Sequence, residues 1–313
     1  MACAILWTAA WPGVLRAATP RGGPGRIAGV VVDRTRPVHP VARQPVMLEI
    51  VERGSTAQRR TVTDAAGRFA FTGLAVGGIR VFVVRVRYGG VPYESRVALT
   101  ASAPARAILI SVYEPTRDRA VIHGAALFAV VETARGALRV SVVERLENAT
   151  DRTVAVTPAD PLVFPIPSGA EAVEYIGGWR DPRIADGAIA DAIPVLPGAT
   201  QVAYAFGVTV RAPALGITWA LPYGAADVEI LVTDPRVRVA TAGFHRAADV
   251  SAAGRRLARW SGGPVLPGAD LTVSLEGVPV SRDVWPGAAA ALLGILLTCG
   301  LTLALARRPR GAV

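Results

Sequence analysis

The sequence predicts an all-β chain, a seven-stranded N-terminal sandwich and then a larger β-sandwich region, ending in one C-terminal transmembrane helix. Three observations predict it. Short valine-rich runs with period-two alternation recur from residue 26 to residue 278. The 32 glycines and 24 prolines fall at the joints between those runs and form no repeat, which is the punctuation of a turn-rich β protein. Near the C-terminus stands VWPGAAAALLGILLTCGLTLALA (284–306), 23 residues without a charge, followed at once by RRPR.

The charge-free run comes first because it sets the compartment. At about 1.5 Å rise per residue it is long enough to cross a hydrocarbon core of roughly 30 Å. A buried soluble helix would more often show a polar stripe, and this one offers only two threonines and a cysteine. Trp285 is placed at one interface, while Arg307, Arg308 and Arg310 in the basic tail 307–313 mark the other side as cytoplasmic. The bulk of the chain is therefore expected outside the cytoplasm. At the other end, MACAILWTAAWPGVLRAATP combines an apolar run with small residues at Ala17 and Ala18 but has no basic residue ahead of the run. Residues 1–24 read as a signal peptide or, uncleaved, as a second apolar anchor.

At 313 residues the chain has room for two folded units. The formal charge of +10 suggests nucleic acid until its source is inspected. No lysine occurs; all 34 basic residues are arginine, spread along the chain without the clustering that phosphate tracking requires. A nucleic-acid partner is therefore not expected. Cys3 and Cys299 stand alone in apolar stretches at opposite ends, so neither a disulfide framework nor a Cys-based metal site can be built.

Residues 25–112 form the first predicted region. Its strands are RIAGVVVD, VMLEIV, QRRTVT, RFAF, RVFVVRVRY, YESRVAL and RAILISV. In the fifth, Phe82, Val84, Val86 and Tyr88 share one face while Arg85 and Arg87 take the other, the alternation of a half-buried antiparallel strand. Between the third and fourth lies TDAAGRFAFTGL (63–74). Thr63 ends a strand, Asp64 can accept backbone amides of a turn, Gly67 tolerates positive φ, and Phe69 and Phe71 enter one core from the next strand. This segment is expected to be a hairpin with a structural role.

Together GVVVD (29–33), QPVMLEI (44–50), TDAAGRFAFTGL (63–74) and RVFVVRVRYGGVPYES (80–95) resemble the carboxypeptidase regulatory-like domain, a transthyretin-like β-sandwich, over residues 26–112. One departure is Ile79, where members of that family often carry Tyr. The resemblance implies an accessory module joined to other domains. Related folds bind carbohydrate, but neither peptidase activity nor sugar binding follows from the match.

Residues 113–280 continue in strands: AALFAVVET, ALRVSVVERLEN, RTVAVT, PLVFPI, TQVAYAFGVTV, DVEILVT, VRVAT and DLTVSLEGV. Leu138, Val140 and Val142 alternate with Arg139 and Ser141. Asn148-Ala149-Thr150-Asp151 reads as a hairpin turn and also fits the Asn-x-Thr glycosylation pattern. PVLPGA occurs at 194–199 and again at 264–269, 70 residues apart. The echo is compatible with two tandem small sandwiches or with one turn device used twice in an enlarged sandwich, and the lack of further alignment favours the latter. The region resembles ectodomains of bacterial membrane-anchored proteins.

The sequence offers little chemistry. His39, His123 and His245 lie far apart without companions at metal-ligand spacing, and Ser168, Ser261 and Ser274 have no nearby base. Hence no catalytic residue, cofactor or metal is expected. Asp181, Asp186 and Asp191 of DPRIADGAIAD are five apart, unlike a calcium loop, and are expected on a surface loop. Tyr175 and Trp179 in EYIGGWRDP, with Trp219 and Tyr223 in ITWALPYG, are flanked by Gly or Pro and expected on exposed loops, where rings grip sugars or peptides. Core packing is the competing fate of these rings. The reading is a non-catalytic, extracytoplasmic binding or scaffolding protein, accessory to a membrane partner. The rival is a carbohydrate-binding or adhesion protein using Tyr175, Trp179, Trp219 and Tyr223.

Overall fold

The computed structural model describes residues 23–280, apart from 135 and 253. The N-terminal segment expected at 1–24 lies outside the described residues except for its last two positions; the membrane helix expected at 284–306 and the tail at 307–313 lie wholly outside them. Among the described residues every regular element is a strand, and no helix is long and apolar enough to cross a membrane. The chain divides into two compact units, one ending at Val112 and the other beginning at Tyr113, with residues 34–37 and 89–91 grouped with the second.

The first unit contains β1 (Gly25–Asp33), β2 (His39–Pro40), β3 (Pro45–Glu52), β4 (Ser55–Val62), β5 (Arg68–Leu74), β6 (Arg80–Tyr88), β7 (Val91–Val97) and β8 (Ala105–Val112). One sheet runs β4-β3-β6-β7; in the other, β1 pairs antiparallel with β2 and β5 and parallel with β8. The seven longer strands coincide, within a few residues, with the seven alternating runs. Alternation works because each sheet buries one face. Ile27, Val31, Phe69 and Phe71 of one sheet are buried, as are Leu48, Phe82, Val84 and Val86 of the other. The Phe69 and Phe71 rings meet edge to face at 6.1 Å.

Residues 63–74 do not form the expected hairpin. β4 pairs with β3 along its whole length and β5 pairs with β1, so the segment is a corner that carries the chain from one sheet to the other. The physical reason is that Phe69 and Phe71 reach the core from the sheet built on β1. Asp64 Oδ1 accepts the N–H groups of Ala66 and Arg68, both at 2.9 Å. Thr63 Oγ1 donates to the Val41 carbonyl at 2.6 Å and accepts the Gln44 N–H at 2.8 Å. Gly67 has φ of 73°, and a Cβ there would sit 2.5 Å from the Val31 carbonyl oxygen, so only glycine fits. At the end of β1 the fully buried Asp33 accepts the Tyr88 hydroxyl at 2.6 Å.

The second unit contains β9 (Pro115–Thr116), β10 (Ile122–Ala134), β11 (Ala137–Asn148), β12 (Thr153–Val154), β13 (Leu162–Pro165), β14 (Ala170–Gly177), β15 (Arg183–Ala185) and β16 (Ala188–Asp191). It continues with β17 (Gly198–Thr209), β18 (Ala214–Leu221), β19 (Asp227–Val232), β20 (Arg238–Val239), β21 (His245–Ala252), β22 (Arg255–Gly262) and β23 (Ala269–Glu276). Its largest sheet has seven strands in the order β14-β17-β11-β10-β19-β22-β21. Two three-stranded sheets, β18-β23-β20 and β13-β16-β15, supply the opposing layer. One continuous core joins Val140, Val142 and Phe206 of the large sheet to Trp219 and Leu271 of one small sheet and Leu162 and Phe164 of the other.

Both copies of PVLPGA do the same work in different layers. Val195 bridges Val154 ahead of β17, and Val265 bridges Ala225 ahead of β23. The Asn148–Asp151 run is a turn but not a hairpin, because β11 pairs with β10 and β17 while β12 pairs with β9. Asn148 is 1% exposed, and its Nδ2 donates to the carbonyls of Arg152 at 2.7 Å and Val195 at 3.1 Å. That buried, committed amide is the reverse of an accessible glycosylation acceptor.

Phe71→Ala should cost about 3–5 kcal/mol of unfolding free energy, because it empties a fully packed ring site. Arg68→Ala, which removes an exposed pair with Asp64, should cost under about 1 kcal/mol. Denaturant titration of both variants checks this, and equal losses would contradict the corner as described.

Candidate functional site

The four aromatic residues singled out in the sequence belong to one set of ring contacts that runs from the exposed Tyr175 to the buried Trp219. EYIGGWRDP is not wholly a loop: Tyr175 belongs to β14, opposite Tyr204 of β17, and Trp179 stands two residues past the end of the strand. ITWALPYG is mostly β18, where Ile217, Trp219 and Leu221 alternate into the core and Trp219 is only 2% exposed. The expectation that Trp219 sits on an exposed loop is corrected. Its strand carries Leu215, Ile217, Trp219 and Leu221 two apart, a periodicity that outweighs the flanking Gly and Pro. Tyr223 lies in the turn after β18, half-buried, with its hydroxyl accepting the Val163 N–H at 3.2 Å.

The rings form one connected series. Tyr175 meets Trp179 at 6.0 Å, Trp179 meets Tyr204 at 6.2 Å, Tyr204 meets Phe206 at 6.3 Å, and Phe206 meets Trp219 at 5.9 Å. A branch leads from Trp179 to Phe164 at 5.3 Å and on to Tyr223 at 5.7 Å. Tyr175 is 41% exposed, Trp179 half-buried, and Tyr204 and Phe206 fully buried, so the series runs from surface to core.

Trp179 is held by three devices. Its indole N–H donates to the Ala203 carbonyl at 2.6 Å. The preceding Gly178 has φ of 79°, and a Cβ there would overlap the Gln201 carbonyl at 1.9 Å. The following amides, of Arg180 and Asp181, donate to the Asp191 carboxylate at 2.7 and 2.9 Å. Asp191 is 1% exposed at the end of β16, which corrects the surface-loop expectation for DPRIADGAIAD: Arg183–Ala185 and Ala188–Asp191 form a hairpin turning at Asp186 and Gly187. Among the described residues, no three His, Cys, Asp or Glu side chains gather to hold a metal ion.

Behind the rings lies a group that the sequence reading passed over. Glu144 shares the inward face of β11 with Val140, Val142 and Leu146, and its Oε1 accepts the Tyr204 hydroxyl at 2.8 Å. Burial pushes its carboxyl up to about 7, and the Tyr204 hydrogen bond only partly offsets that. Burial likewise raises the Tyr204 hydroxyl well above its ordinary range. The signal was legible in LRVSVVERLEN, where period two places a carboxylate on the apolar face. Chemically the arrangement provides a protonatable carboxyl inside an aromatic core.

Glu144 gains affinity for its proton on folding, so it binds more protons in the folded chain between pH 4.5 and about 7. Its contribution to stability is full below that window and is lost as pH rises through it, by at most about 3 kcal/mol. Glu144→Gln should therefore gain stability relative to the parent between pH 5 and pH 8, measured by denaturant titration. A constant difference across that range would show that Glu144 does not titrate there.

No family model matches the chain, and no curated protein matches it in sequence. Solved structures do. One is a candidate carbohydrate-binding protein from Pseudomonas aeruginosa, 17% identical, with a TM-score of 0.22 over 30% of this chain and 92% of that one. Two are structures of leukotriene A4 hydrolase from Saccharomyces cerevisiae, each 10% identical, with TM-scores of 0.36 and 0.34 over 51% and 50% of this chain. The chain spans only 30% and 29% of those hydrolase chains.

Proposed function

We propose that this chain is a non-catalytic binding or scaffolding protein, anchored through residues 284–306 with its β units outside the cytoplasm, and that it serves as accessory subunit to a membrane partner. The observation that carries the reading is the 23-residue charge-free run closed by RRPR, which begins shortly after β23. We read the first unit as a transthyretin-like module of the carboxypeptidase regulatory-like kind. Its support is the chain order of the strands and the separate roles of Thr63, Asp64, Gly67, Phe69 and Phe71 in one corner.

A second reading, carbohydrate binding or adhesion, is favoured by one observation. Tyr175 is 41% exposed and meets the half-buried Trp179 edge to face. Trp219 drops out of this reading because it is core, and the half-buried Tyr223 already accepts the Val163 N–H at its hydroxyl.

Purification of the full chain from its own membranes in mild detergent should recover a stoichiometric membrane protein. Photo-crosslinking suits it better than amine chemistry, since no lysine is present. Recovery of the chain alone would count against the accessory role. A reporter fused to the C-terminus should be active in the cytoplasm, and activity only outside would reverse the orientation. If the second reading holds instead, the full chain binds a glycan on a panel and Tyr175→Ala loses it; a silent panel rejects that reading.

A further inference from the structure

At the opposite end of the large sheet from Trp179, β21 and β22 border an open cleft of about 600 Å³ that also touches the end of β19 and β20. Its floor is apolar: Val232, Val239, Ala258 and Trp260 are all buried. Its rim carries three guanidinium groups, Arg238, Arg246 and Arg256, against one lining carboxylate, Asp249.

The three arginines are not equivalent. Arg246 is committed: its guanidinium lies 4.7 Å from the Trp260 ring centroid, pairs with Asp249, and donates to the carbonyls of Ala247 at 2.9 Å and Arg259 at 3.2 Å. It fixes the rim and shields the Trp260 face. Arg238 makes one long, exposed pair with Glu276 at 3.3 Å, a contact that is easily exchanged. Arg256, opposite Ser251 on β22, meets no acid or acceptor among the described residues. Arg256 thus offers an unspent fork of donors above a buried apolar floor, beside a second guanidinium held only loosely.

We propose that this cleft is a binding site for a small organic carboxylate with an apolar body, the carboxylate taken by Arg256 and Arg238 and the body laid on Ala258 and Val239. Of the three cations, Arg246 and Arg238 are matched by Asp249 and Glu276, so the excess positive charge is that of Arg256; it favours a negative ligand, and the planar guanidinium fork matches a carboxylate in a way that a neutral amide does not. The volume lies in the range of small-molecule sites. This inference goes beyond the scaffolding reading and does not depend on it, since the cleft lies within the second unit and needs no partner.

The test uses the full chain in detergent at low salt, titrated calorimetrically with benzoate and, separately, with benzamide, the neutral molecule of the same shape. Benzoate should bind, benzamide should bind at least about tenfold more weakly, and Arg256→Gln should weaken benzoate about tenfold. Because Arg256 has no partner to lose, that variant should unfold at the same denaturant concentration as the parent. No benzoate binding, equal binding of benzamide, or unchanged affinity in a folded Arg256→Gln variant would each overturn the site. Galacturonate, a carboxylate on a polar ring, should bind more weakly than benzoate; tighter binding would replace the apolar-bodied ligand with an acidic sugar.

Discussion

The seven-stranded sheet of the second unit presents a wide apolar face, and the need to cover that face organises most of what surrounds it. Val140 and Val142 on β11, Tyr204 and Phe206 on β17, and Val228 and Ile230 on β19 all point the same way and are all buried. Each side chain of that size contributes about 1.5–3 kcal/mol when removed from water, whereas an exposed ion pair contributes under about 1 kcal/mol. Neither small sheet is wide enough to cover the face alone, so two share it, and β18 and β13 must each send large residues inward. Trp219 and Phe164 are those residues.

The same economy governs the polar groups inside. Asp33 takes the Tyr88 hydroxyl, Asp191 takes two backbone amides, and Asn148 spends its amide on two carbonyls. A buried polar group without such partners costs about 1–3 kcal/mol, and each of these partners also ties down a turn or loop. Glu144 differs: one hydroxyl does not offset the loss of water, so its carboxyl holds a proton toward neutral pH.

On the outer face, composition and geometry meet. Arg139 of β11 reaches Glu174 of β14 with two hydrogen bonds, at 2.9 and 2.7 Å, although β17 lies between those strands. It can do so because Gly207 stands opposite Arg139 and Ala205 opposite Glu174, leaving the surface of β17 low. A guanidinium has the length and the fork for that span. The two outer strands of the sheet, β14 and β21, both carry register shifts, at Glu171/Glu174 and Ala247/Val250. Bulged edges resist pairing with other chains, and the bulge in β21 is also what brings Asp249 round to Arg246 at the rim of the cleft.

Those bulges explain what could be read in advance. Every long strand of the first unit was legible in the residues, because a sheet buried on one face writes its apolar side chains two apart, as Phe82, Val84 and Val86 do. β11 and β17 were legible for the same reason. β14 and β21 were not: AEAVEYIG and HRAADVSA are edge strands whose bulges break the alternation, even though β21 pairs with the adjacent strand β22. The four candidate aromatic residues all belong to one series of ring contacts. Their exposure was not legible, because a ring beside Gly or Pro faces water or core according to which strand pairs with its own. For Trp219 that strand is β23, whose residues 269–276 stand some fifty positions further along. Local periodicity writes the strands; which faces are left open, and hence where Arg256 stands free and Trp219 does not, follows from pairings between residues distant in the chain.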